Sequence, residues 1–121
     1  MKYLMLIYGN EEIWNGQGPE ELAKLIDEVD GFNEALRASG ELLESEGLIP
    51  RARSVRSKGG DVVITDGPYI EAKEFVGSYF VVEVDGEERA LEIARSYPGI
   101  RHGGGLEMWP LMGRGWASGA E

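Results

Sequence analysis

The run Thr65-Asp66-Gly67-Pro68-Tyr69-Ile70-Glu71-Ala72-Lys73-Glu74 concentrates more chemistry than a turn requires. Gly67 and Pro68 supply the backbone geometry of a tight turn; the carboxylate before them and the charges after them are surplus to it. Asp66, held on such an elbow, is a candidate general acid or base, a role that needs a pocket raising its pKa and reach to a substrate proton. The same carboxylate also suits an Asx-type turn, accepting backbone N–H bonds ahead of Gly67. Lys73 and Glu74 suit the orientation of an anionic ligand or a proton relay. They equally suit an ion pair that pins the loop to the strand beyond it.

Other chemistry is sparse. His102 is the single histidine, in Ile100-Arg101-His102-Gly103-Gly104-Gly105. It reads either as an exposed loop residue or as the pH-sensitive partner of Asp66, if the fold unites them. The three glycines are no phosphate loop, since no helix follows them. Tyr8 and Trp14 follow the first apolar run and could wall an apolar ligand, or pack in the core or a dimer contact. The chain has no cysteine, which excludes disulfides, thiolate metal sites and a Cys nucleophile. With one histidine, no metal set is visible and no cofactor is expected. No nucleophile elbow occurs either.

The elements that must carry these residues follow from periodicity. A length of 121 residues with 42% apolar content implies one folded domain. Residues 1–112 form that domain, and 113–121 a small-residue tail. Tyr3 to Tyr8 is apolar on both alternating faces, as in a strand covered on both sides. Pro19, Glu20 and Glu21 open a helix whose stripe Leu22, Leu25, Ile26, Val29, Phe32, Leu36 runs to about Ser39, with a stop at Gly40. Leu42 to Ile49 reads as a strand. Ala52–Ser57 and Asp61–Thr65, joined through Lys58-Gly59-Gly60, read as a hairpin. Phe75 to Val84 is the strongest strand. Asp85 and Glu88 predict a capping box for a second helix with the stripe Ala90, Leu91, Ala94, Tyr97. Leu106 to Met112 closes the domain.

Without its hairpin this order is a ferredoxin-like split βαβ: an α+β fold with two helices on one face of an antiparallel sheet. Two helices leave the other face bare, and its apolar strands predict a second copy packed sheet to sheet as a homodimer with a barrel-like core. The formal net charge of −10 is concentrated between Glu11 and Glu46 and opposes binding to nucleic acid or an anionic membrane. Arg51, Arg53, Arg56 and Lys58 are the basic exception, suited to a solvated strand edge or to contact with an acidic partner. No apolar run approaches membrane length and no signal peptide opens the chain, so a cytoplasmic protein is expected.

Met1-Lys2-Tyr3-Leu4-Met5-Leu6-Ile7-Tyr8-Gly9, Gly47-Leu48-Ile49-Pro50, the Thr65–Glu74 run with Gly77-Ser78-Tyr79, and Glu107-Met108-Trp109-Pro110 together resemble the YCII-related family, in its DGPF-domain branch. Tyr69 stands where that branch usually has Phe. The resemblance spans residues 1 to 112 and implies the dimeric α/β-barrel superfamily. It also implies a histidine–aspartate pair, of which Asp66 matches the aspartate while the histidine near the first helix has no counterpart. Two functions follow as expectations. One is a homodimeric small-molecule-binding protein or cofactor-free enzyme moving a proton on an oxygenated organic molecule, with Asp66 as base and Tyr8 and Lys73 positioning the ligand. The other, from relatives fused to sigma-factor domains, is a non-catalytic ligand-binding or interaction module linked to transcription initiation.

Overall fold

A computed structural model gives the fold, described for residues 1–9, 16–67 and 75–113. Strand β1 (Lys2–Gly9) leads to helix α1 (Pro19–Ala38), β2 (Leu42–Gly47), the hairpin strands β3 (Arg53–Lys58) and β4 (Asp61–Asp66), and β5 (Phe75–Glu83). Helix α2 (Glu87–Arg95), a 3₁₀ helix (Pro98–His102) and β6 (Gly105–Pro110) complete it. The main sheet has the order β2-β5-β1-β6 with every pairing antiparallel, which is the ferredoxin-like arrangement with β3–β4 as a separate two-stranded insertion.

Local chemistry explains the boundaries. Pro19 opens α1, where its missing N–H costs nothing. Gly40, at φ 81°, ends it in a Schellman closure: Glu41 N–H reaches Leu36 O at 3.0 Å and Gly40 N–H reaches Arg37 O at 3.1 Å. The stripe of α1 and the inward faces of β1 and β5 meet in one core. Tyr3, Met5, Leu36, Phe80, Val82, Val84, Ala90, Ile93 and Tyr97 are buried in it. Phe32, Phe80 and Tyr97 contact one another with centroids 5.4–5.9 Å apart, a geometry that adds to simple area burial.

Several details differ from the sequence expectation. The capping box is absent: α2 starts from Gly86 with no side-chain cap. Ile93 is buried and Leu91 is 41% exposed, because positions 90, 93, 94 and 97 fall on one face of a 3.6-residue helix and 91 does not. Strand β2 stops at Gly47, leaving Leu48 and Ile49 exposed. Pro98 does not merely end α2 but opens the 3₁₀ helix, which carries His102 to the sheet.

The helices cover one face of the sheet. On the other face the register aligns Leu4 with Val81 and Trp109, and Leu6 with Tyr79 and Glu107. Leu4, Leu6, Tyr79 and Val81 are only half-buried there.

Candidate functional site

Two strands end in glycine at one corner of the sheet, β1 at Gly9 and β2 at Gly47, and β5 has Gly77 near its start. The register sets Ile7 of β1 and Gly47 of β2 against Ser78 of β5, on the face beneath α1. Gly9, Gly47 and Gly77 there, with Gly99 and Gly104 from the 3₁₀ segment, bring backbone and no side chain to this corner, and a cavity of about 290 Å³ lies among them. Gly104 is required by close approach, since a Cβ would stand 3.1 Å from both Tyr8 O and Gly99 O.

Ile7, Leu25, Ile26, Val29 and Tyr97 give the cavity apolar walls. Its polar groups are few: Gln17, Asp30, Ser78 and His102. The Gln17 amide oxygen is buried with no hydrogen-bond partner among the described residues. A buried acceptor left unmade costs about 1–3 kcal/mol. Tyr97 is 9% exposed. Burial raises its pKa, and a hydrogen bond with Ser78 pulls the other way, so the ring presents a neutral phenol.

His102 ends the 3₁₀ helix and lines the cavity. Its Nε2 stands 3.8 Å from Glu28 Oε2 on α1, and Arg101 Nη2 holds the same oxygen at 3.1 Å. At 3.8 Å the imidazole is not hydrogen-bonded to the carboxylate. It lines the cavity with the Glu28 carboxylate nearby.

The structure unites two of the residues singled out by sequence. Tyr8 and His102 both line the cavity, although the Tyr8 phenol donates to Glu107 Oε1 at 3.1 Å. Asp66 does not line it. It ends β4, 92% exposed, with Arg53 Nε at 2.9 Å across the hairpin; Gly67 N–H bonds Ala52 O at 2.8 Å and Ser54 Oγ donates to Gly67 O at 2.7 Å. Asp66 and its neighbours thus close the base of the hairpin. Trp14, Lys73 and Glu74 lie outside the described residues.

Sequence reasoning passed over Gln17, Asp30, Ser78 and Tyr97. The available signal was the glycine at each strand end, but it carries meaning only once the register is known. Among the described residues no cluster of three or more His, Asp or Glu could hold a metal ion, and no helix is long and apolar enough to cross a membrane.

A family model described as the YCII-related domain matches residues 1–111 of this sequence. A protein of Rhizobium meliloti (strain 1021), described as uncharacterized, is 25% identical over 114 residues, covering 92% of both chains.

Proposed function

The chain belongs to the YCII-related family, and on that footing we propose that it binds a small, mostly apolar, oxygenated molecule beneath α1, with His102 as the group that moves a proton. One observation supports this reading: the single histidine and Gln17, whose amide oxygen has no hydrogen-bond partner among the described residues, line one apolar cavity. At about 290 Å³ the space suits a ligand of one or two rings. A hydroxyl on that ligand would donate to Gln17, and the apolar walls would hold its ring.

Proton transfer needs no further reagent. Neutral imidazole takes a proton from carbon beside a carbonyl, the carbonyl oxygen accepts the electron pair, and imidazolium returns the proton at a second position. In this reading Asp66 anchors the hairpin through Arg53 instead of meeting substrate. A second copy covering the open sheet face belongs to the same proposal, because Leu4, Leu6 and Val81 there lack a full cover.

The test is calorimetric titration with p-cresol and toluene, which differ by the hydroxyl. We expect p-cresol to bind about 5-fold more tightly, the value of one hydrogen bond near 1 kcal/mol, and Gln17→Leu to abolish the difference. Equal affinities for the two compounds, or discrimination that survives Q17L, would overturn the assignment of Gln17. Absence of binding by either would overturn the site.

A further inference from the structure

Charge is placed unevenly around the cavity beneath α1. Among the described residues Asp30 is the one carboxylate that lines it and His102 the one base; no lysine or arginine does. Asp30 stands one helical turn after Ile26, so the two share a face of α1. Ile26 is 50% exposed, and Asp30 is exposed as well. This edge of α1 is therefore the rim where the cavity meets solvent, whereas Tyr97 and half-buried Ser78 belong to its inner wall. A ring bedded between Leu25, Val29 and Tyr97 has one end at that rim.

Nearby cations are committed elsewhere. Arg101, beside His102, holds Glu28 at 3.1 Å, and Arg37 pairs with Glu34 at 3.3 Å. Asp30 itself makes no hydrogen bond or ion pair among the described residues. Helix α1 offers little compensation, since Glu20, Glu21, Asp27, Glu28, Asp30 and Glu34 stand against Lys24 and Arg37. Apolar walls beside charge of one sign focus its field into the cleft. The Asp30 carboxylate thus acts on a charge at the rim more strongly than an isolated surface acid does.

We infer that Asp30 sets the charge of the ligand: the cavity takes neutral or amine-bearing ring compounds and rejects their carboxylate counterparts. This rests on the ligand site proposed above and names the class of molecule that fits it. The ring lies against the apolar walls, and an ammonium group at its outer end meets Asp30. A carboxylate in the same place meets like charge. Water at the rim bounds the effect, because a solvated charge pair shifts affinity by at most about 5-fold.

Calorimetric titration of the full chain with three probes on one scaffold tests it. The probes are 4-hydroxybenzyl alcohol, 4-hydroxybenzylamine and 4-hydroxyphenylacetate, which are neutral, cationic and anionic. The buffer is at low salt and about pH 8, above the range in which an ordinary imidazole gains charge. The amine is expected to bind about 5-fold more tightly than the alcohol and the acetate about 5-fold more weakly. D30N closes most of that gap. D27N removes the same charge from an exposed α1 position outside the cavity lining and leaves most of the gap in place. Equal affinities, a gap that survives D30N, or equal narrowing by D27N and D30N overturns the role of Asp30 and leaves the site standing. Binding by none of the three overturns both.

Discussion

Asp66 and His102 differ in their surroundings, and the proposed reading rests on that difference. Asp66 is 92% exposed with the Arg53 guanidinium at 2.9 Å, and it is not among the residues that line the cavity. His102 borders an apolar cavity with a buried acceptor on another wall. In calorimetric titration with p-cresol, His102→Asn is expected to weaken binding several-fold, whereas Asp66→Asn leaves it unchanged and shifts Tm by no more than about 2 °C, the reach of an exposed ion pair. A second residue-scale prediction concerns Glu41, which Arg89 grips with two hydrogen bonds of 2.7 Å. These bonds lower the Glu41 pKa from 4.5 to about 2. A carboxylate with a depressed folded pKa adds stability above its unfolded value and loses it as pH falls toward the folded one. Glu41→Gln is therefore expected to lower Tm by a few degrees at pH 6, with the gap to wild type narrowing between pH 4.5 and pH 2. Thermal melts across that range check it, and a gap that stays constant would contradict the assignment.

At the scale of elements, the cavity is made by what the strands lack. Gly47 ends β2 on the α1 side of the sheet, and a Cβ placed there meets nothing within 4 Å. Its φ is not in the left-handed range, so a larger residue fits without strain. Gly47→Leu is expected to fold normally and to block p-cresol, a combination read by circular dichroism beside calorimetry. Phe80 is the opposite case: it is 2% exposed and joins α1 and the Tyr97 segment through ring contacts. Phe80→Ala is expected to cost about 3–5 kcal/mol in urea unfolding. The elements themselves were largely legible in sequence. Pro19 and Gly40 bound α1 as read, and the paired glycines after Lys58 mark the hairpin. Leu91 misled because it lies about 100° round the helix from Ala90, off the face that Ala90 and Ile93 bury.

For the whole molecule, the ferredoxin-like order followed from the alternation of strands and helices, while the site did not. Gln17, Gly47, Ser78, Tyr97 and His102 come from five separate segments, and only the antiparallel register gathers them. Asp66, in the charge-dense Thr65–Glu74 run, is 92% exposed at the hairpin base, and residues 68–74 of that run lie outside the described residues. The claim on which the functional reading turns is that ligands enter beneath α1. Residue-resolved amide shifts on titrating the full-length protein with p-cresol test this most directly. The account predicts perturbations at Leu25, Val29, Gly47, Ser78 and His102, all lost in Gly47→Leu; shifts centred instead on Arg53 and Asp66, or none at all, would contradict it.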